Sequence, residues 1–156
     1  MPTKPAKHGV QFNYSKINGH IYLGSNMCCQ THFDKKLLDK GVTLDVSMEG
    51  ERVDRPQGIR YYLWLPTRDH TAPSMRRLAM GVTAMREAIT ADEKIYVHCK
   101  NGHGRAPTMV AAYFIKERGM TVDEAIAYIK KKRPEIHLEL SQKKRLQQWE
   151  RACRKA

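Results

Sequence analysis

Cys99 and Arg105 lie six residues apart in the stretch K-I-Y-V-H-C-K-N-G-H-G-R-A-P-T, residues 94–108. A thiol attacks as its thiolate, and a helix N-terminus with a nearby cation favours that form. Gly102 and Gly104 allow the backbone between the two residues to turn its amides inward on a small anion. Arg105 adds a planar, two-pronged donor for two oxygens of a phosphoryl group. These residue types predict in-line attack of Cys99 on phosphorus and a phosphocysteine. The amides of Lys100, Asn101, Gly102, His103, Gly104 and Arg105, with the Arg105 guanidinium, would hold the transition-state charge. The plain alternatives are a structural cysteine in a tight strand-to-helix turn, or a module that captures phosphorylated ligands without turnover.

The leaving oxygen needs a proton. Asp69 lies 30 residues before Cys99, in a loop that follows a strand, which brings it to the same sheet edge. It is the candidate acid, and then the base that activates water against the phosphocysteine. Asp45, within a strand, and Asp92, at a helix end, are weaker candidates. Arg68 is a candidate second contact for anionic substrate groups. His70 either tunes Asp69 or touches substrate, or is a plain exposed loop histidine. Asn101 and His103 project from the loop toward the mouth of the pocket.

Positioning these groups requires a strand, a loop and a helix in that order. Ile95, Tyr96 and Val97 suit a buried strand. Residues 106–116 are apolar nearly all round, which predicts a central helix whose N-terminus faces the loop. Upstream, 12–17 and 21–24 read as a hairpin around Asn18-Gly19. Thr31 and Asp34 mark a helix start, Phe33, Leu37 and Leu38 its apolar face, and Gly41 its end. Alternation over 42–47 predicts a strand, 48–58 a loop, 59–65 a second strand and 66–73 the loop that carries Asp69. Met75, Leu78, Val82, Met85 and Ile89 give 74–90 helical spacing.

Beyond Gly119, Thr121 to Glu124 form a capping box for a helix lined by Val122, Ala125, Ile126 and Ile129, which Pro134 ends. Ser141 is the expected cap of a last helix, with Leu146, Trp149 and Cys153 inward. The order predicts one α/β domain: a central sheet of four or five mostly parallel strands flanked by helices, with the Cys99 loop beyond the carboxyl end of the 95–97 strand.

H-C-K-N-G-H-G-R, residues 98–105, resembles the H-C-x5-R loop of cysteine-dependent phosphatases, in their small dual-specificity branch. I-Y-L-G-S (21–25) resembles that branch's early strand, T-R-D-H-T-A-P-S (67–74) its general-acid loop, and R-P-E-I (133–136) the segment before its last helix. The T-R-D and A-P-S details look closest to phosphatases of the phosphatidylglycerophosphate type, and G-R-A-P (104–107) to those of regenerating liver. The resemblance implies a dual-specificity phosphatase-like fold, with a catalytic domain over 11–156; residues 1–10, with two prolines and little apolar content, read as a flexible tail. It implies that Asp69 is the acid and that His98 orders the loop and helps keep Cys99 ionised. It implies a hydrolase for phosphotyrosine, phosphoserine and phosphothreonine proteins, with a lipid phosphatase acting on phosphatidylglycerophosphate or a phosphoinositide as the competing reading.

Many members of the branch carry Ser or Thr directly after the loop arginine. Here the position is Ala106, and Thr108 stands about 200° further round the helix.

The chain of 156 residues suits one domain, and its 41% apolar content suits a soluble one. No run approaches a transmembrane span, and the N-terminus has no signal-peptide apolar region. Cys28, Cys29, Cys99 and Cys153 form neither a disulfide framework nor a zinc spacing, and a catalytic thiol must stay reduced, so a cytoplasmic location is expected. No metal or other cofactor is implied. The net charge of +12 suits a phosphorylated protein or an anionic phospholipid as substrate, with possible electrostatic contact to an anionic membrane surface. Its alternative is a solvated basic surface. No nucleic-acid module signature accompanies it. Much of the charge is late, in 130–133, 143–145 and 151–155.

Overall fold

Two periodicities organise the chain around β5 (Lys94–His98) and α3 (Arg105–Arg118). Ile95 and Val97 point into the main core, while Tyr96 and His98 face the other side of the sheet, the period-2 alternation of a strand. α3 is buried from Arg105 through Ile115, as its all-round apolar pattern predicts. The computed structural model describes residues 12–26 and 32–156. The expected tail over 1–10 lies outside them, as do Thr31, Cys28 and Cys29.

The remaining elements are β1 (Tyr14–Lys16), β2 (Ile21–Gly24), α1 (Lys35–Asp39), β3 (Val42–Glu49), β4 (Tyr61–Thr67), α2 (Met75–Thr90), α4 (Val122–Lys132) and α5 (Leu140–Lys155). The sheet runs β1-β2-β5-β3-β4, parallel except for β1 against β2. The expected single α/β domain with a mostly parallel sheet is therefore present, with five strands. α2 to α5 cover one face and form the large core with Leu44, Val46, Ile95 and Val97. Leu37 of α1 joins Phe33, Tyr22, Val42 and Tyr96 on the other.

Local chemistry shifts several boundaries. The 17–20 turn does join β1 to β2, but neither Asn18 nor Gly19 adopts a positive φ, as a two-residue type I′ turn would need. Instead the Asn18 side chain accepts from the amides of His20 and Ile21, both at 2.9 Å, an Asx turn. The first strand is shorter than expected: at its start the Asn13 amide donates to Ser25 Oγ, and at its end the Ile17 and Asn18 amides both turn onto Ile21 O. Met48 and Glu49 extend β3, and β4 is shifted by two residues, gaining Pro66 and Thr67 and losing Ile59 and Arg60. Proline is tolerated there because β4 is an edge strand.

Asp34 itself caps α1, accepting from Lys36 and Leu37. Thr121 caps α4 as expected, and Ser74, expected as the first residue of α2, is its cap. Gly119 ends α3 with φ 65°, the left-handed C-cap that glycine supplies. The expected Ser141 cap of α5 is wrong. Glu139 is the cap, and its amide donates to Gln142 Oε1 at 2.8 Å, so the capping box starts two residues earlier. Leu146 and Trp149 point inward, and Cys153 is half-buried against the same core.

Candidate active site

β5 delivers Cys99 to the carboxyl end of the sheet, facing the N-terminus of α3. The Gly102 amide donates to Cys99 Sγ at 3.3 Å. Gly102 has φ +72°, and a Cβ there would meet the Gly24 backbone carbonyl carbon at 2.5 Å. Both facts restrict the position to glycine.

The loop is held from behind by Arg133, 0% exposed. Its Nη2 donates to Asn101 O at 3.0 Å and its Nε to Gly102 O at 2.9 Å. A trans peptide sends its N–H opposite to its carbonyl. Drawing Asn101 O onto Arg133 therefore aims the Gly102 N–H at the sulfur. Drawing Gly102 O the same way turns the His103 N–H toward the phosphate side. Arg133 is anchored in turn by Asn13 Oδ1 at 2.5 Å and Ser15 Oγ at 3.2 Å. The sequence places Arg133 within a basic run, but it belongs to the interior, whereas Lys130, Lys131 and Lys132 are all exposed.

Arg105 opens α3 and is 2% exposed. Its Nη1 donates to Glu51 Oε2 and to Thr67 O, both at 2.8 Å, and its Nη2 to Glu51 Oε1 at 2.9 Å. The paired hydrogen bonds from Arg105 hold the Glu51 carboxyl below the usual carboxylate range. Asp69 Oδ1 lies 3.3 Å from Arg105 Nη2. Asp69, His70, Cys99, Asn101, His103 and Arg105 therefore line one pocket, joined by His137 and Gln142. Burial beside Arg133 and His137 lowers the pKa of His103.

The Asp69 loop is braced by α5. Gln142 Nε2 donates to Thr71 O at 3.1 Å, Arg145 Nη1 to Pro73 O at 2.6 Å, and His70 Nδ1 lies 3.1 Å from Glu139 Oε1. His70 takes a positive φ of 63°, uncommon for a non-glycine residue, and its amide donates to Asp69 Oδ1 at 2.9 Å. His70 thus ties the acid loop to α5. Arg68 is exposed and does not line the Cys99 pocket. It lines an adjoining open cleft with Lys100, Glu51 and Asp69.

His98 is 1% exposed, with Nε2 2.9 Å from Asp45 Oδ1 and 3.8 Å from Asp54 Oδ2. Its ring stacks on Tyr96 at 5.3 Å between centroids and 14° between planes. Burial opposes its charge, but Asp45, with Glu49 and Asp54 behind it, outweighs burial and raises its pKa. Asp45 is thereby a partner of His98 and not an acid facing substrate. Asp92 pairs with His20 at 3.0 Å, ahead of the amino end of β5 and away from Cys99. Among the described residues, Glu49, Asp54 and His98 bring three possible metal-ligand atoms within 4.8 Å. Arg52 Nε lies 2.9 Å from both carboxylates and already supplies the positive charge there.

Ala106 is fully buried. Thr108 does not replace a hydroxyl beside the sulfur, because its Oγ1 donates to Gly104 O at 2.7 Å. Sequence reasoning missed Arg133, Glu51 and the structural role of Asp45. The R-P-E-I segment was the one available signal for Arg133. Nothing in the polar 48–58 stretch marks Glu51.

A buried thiol under a loop amide, a buried arginine beside it and a carboxyl at the rim make a site built for phosphoryl transfer. The description "Dual specificity phosphatase, catalytic domain" fits residues 21–152, and the chain belongs to that family. It is 35% identical over 91 residues to phosphatidylglycerophosphate phosphatase PTPMT2 of Arabidopsis thaliana, 58% of this chain and 40% of that protein. It is 27% identical over 122 residues to dual specificity protein phosphatase Mpk3 of Drosophila melanogaster, 77% of this chain and 29% of that protein. The chain thus spans well under half the length of these curated relatives. The crystal structure of PTPMT1 in complex with PI(5)P superposes with a TM-score of 0.78 at 28% identity, over 92% of this chain and 99% of that one.

Proposed function

We propose that the chain hydrolyses a phosphomonoester on an anionic phospholipid headgroup, of the phosphatidylglycerophosphate or phosphoinositide class, through a phosphocysteine. The Cys99 thiolate attacks phosphorus as the P–O bond to the headgroup breaks, and the proton of Asp69 passes to the departing oxygen. The loop amides and Arg105 hold the equatorial oxygens. Asp69, now a carboxylate, takes a proton from water. The water oxygen attacks phosphorus, and inorganic phosphate leaves as the thiolate is restored.

The observation that carries the chemistry is the convergence of Cys99, Arg105 and Asp69 on one pocket, with Arg105 Nη2 3.3 Å from the Asp69 carboxylate. The lipid class is supported by the likeness to phosphatidylglycerophosphate phosphatases and by the exposed Arg68 and Lys100 in the adjoining cleft. A phosphoprotein substrate is the second reading, favoured by the longer match to Mpk3. Wild type and Cys99→Ser should be assayed side by side on phosphatidylglycerophosphate, phosphoinositides and phosphotyrosyl and phosphoseryl peptides. The expected result is the highest kcat/KM on a phospholipid, abolished in Cys99→Ser. A peptide preference would reverse the substrate assignment. Tight binding of these ligands without phosphate release would leave a capture module.

Ala106 bears on the second half-reaction. A hydroxyl at that position can donate to the sulfur as it departs from the phosphocysteine, and the Ala106 methyl cannot. Phosphoenzyme breakdown should then limit turnover. Rapid-quench measurements should show a burst in the wild type, and Ala106→Ser should raise the steady rate and shrink the burst. No burst, with no gain in the variant, would place the slow step elsewhere.

A further inference from the structure

α5 starts at the mouth of the pocket. On its inner side Glu139, its cap, and Gln142 line the Cys99 pocket. On its outer side Leu140 is 67% exposed, the most exposed large apolar side chain among the described residues. Lys143 and Lys144 follow at i+3 and i+4 and are also exposed, so the three share one face of the helix.

Among the described residues, neither lysine has a carboxylate within ion-pair distance. The acids of this helix and its cap, and those of the pocket and cleft, are engaged elsewhere. Glu139 meets His70, Glu51 and Asp69 meet Arg105, and Glu150 accepts from the Val122 amide and from Arg154. Lys100 and Arg68 add exposed cations on the cleft that shares Asp69 with the pocket.

We propose that the outer face of the first turns of α5, Leu140 with Lys143 and Lys144, docks on an anionic phospholipid bilayer and turns the Cys99 pocket toward the headgroup layer. The purpose of this face rests on the lipid reading above; its binding does not. Charge complementarity selects the occupant. Anionic headgroups attract clustered lysines at a membrane surface. An apolar tip between cations suits the headgroup–acyl boundary, where a leucine reaches inward and ammonium groups stay at the phosphates. The core of a protein–protein interface is instead depleted of lysine. The face is short and amphipathic only at its tip, so docking is reversible and salt-sensitive, and it leaves the fold unchanged.

The test is co-sedimentation of the full chain with vesicles of phosphatidylcholine alone, or of phosphatidylcholine with phosphatidylglycerol, which carries the anionic diester but no phosphomonoester to hydrolyse. Binding is expected only with phosphatidylglycerol and should fall as salt is raised. The Lys143→Ala/Lys144→Ala variant should lower partitioning about 25-fold, roughly fivefold for each cation at low salt. Leu140→Ala should lower it severalfold. Both variants should hydrolyse a soluble aryl phosphate at the wild-type rate, since none of the three side chains enters the pocket. Wild-type binding that ignores lipid charge, or variants that bind as the wild type does, would overturn the proposal. So would a loss confined to activity on an acidic phosphopeptide, which would make this a protein-docking face. Vesicle binding through α5 by an enzyme that hydrolyses no phospholipid would support the docking face and overturn the substrate assignment instead.

Discussion

Asp69→Asn is expected to lower kcat by roughly two to four decades on an aryl phosphate with a poor leaving group, the usual size of acid–base catalysis. The same substitution should cost far less when the leaving group is activated, because a stable phenolate departs without a proton. Geometry singles out this carboxyl. It lines the Cys99 pocket and stands 3.3 Å from Arg105 Nη2. Asp45 is sequestered against His98, and Asp92 lies on the surface beside His20, ahead of the amino end of β5 and away from Cys99, so neither can take over. Asparagine preserves the size of the side chain and can still accept from the His70 amide. Loss of the proton is therefore separated from loss of the loop. Steady-state rates on a series of aryl phosphates of graded leaving-group pKa would decide it. The variant should show a much steeper dependence than the wild type, and parallel slopes would move the acid role to another group.

Arg133→Ala should be the most damaging change outside the catalytic residues themselves. The substitution removes the donors from Asn101 O and Gly102 O, and a buried acceptor left unsatisfied costs about 1–3 kcal/mol. For the two carbonyls together the loss is about 2–6 kcal/mol. At about 2–4 °C per kcal/mol for a chain of this size, Tm should fall by roughly 10 °C.

The loss should also reach chemistry at temperatures where the variant is folded. The two carbonyls that Arg133 holds belong to the peptides that carry the Gly102 N–H, which donates to Cys99, and the His103 N–H beside it. Freed carbonyls let both amides rotate away, with a fall in kcat/KM of about two decades, the size usual for one lost oxyanion donor. Arg133→Lys keeps the charge but not the fork, and should fall between. Thermal melts with kinetics on a soluble aryl phosphate measure both effects. An unchanged Tm would show that the loop holds its own shape. A large Tm loss with full activity at low temperature would make Arg133 a stabilising residue only.

The site's chemistry was legible in the sequence because it is local. Cys99, the two glycines and Arg105 occupy eight consecutive positions with His98 and the rest of the loop. Strand, loop and helix signals on either side agree on a single geometry. The period-2 and helical patterns placed β3, β5, α2, α3 and α4 for the same reason: each pattern reports which face of one element is buried. Asp69 could be inferred because a loop after a parallel strand must emerge at the carboxyl edge of the sheet.

What the sequence left open depends on contacts between residues far apart in the chain. Arg133 looked like part of a basic run, and only folding brings it against Asn101 and Gly102, some thirty residues earlier. Asp45 looked like a spare carboxyl until β3 and β5 paired and set it beside His98. Glu51 carries no periodic signal, because its carboxylate is placed by a long-range partner, Arg105, 54 residues away. Asn18 and Gly19 promised one turn, and the side chain of Asn18 selected another. Charge alone could not say whether a lysine or arginine meets solvent, substrate or the back of the phosphate loop. Burial decides that, and burial is a property of the packed molecule.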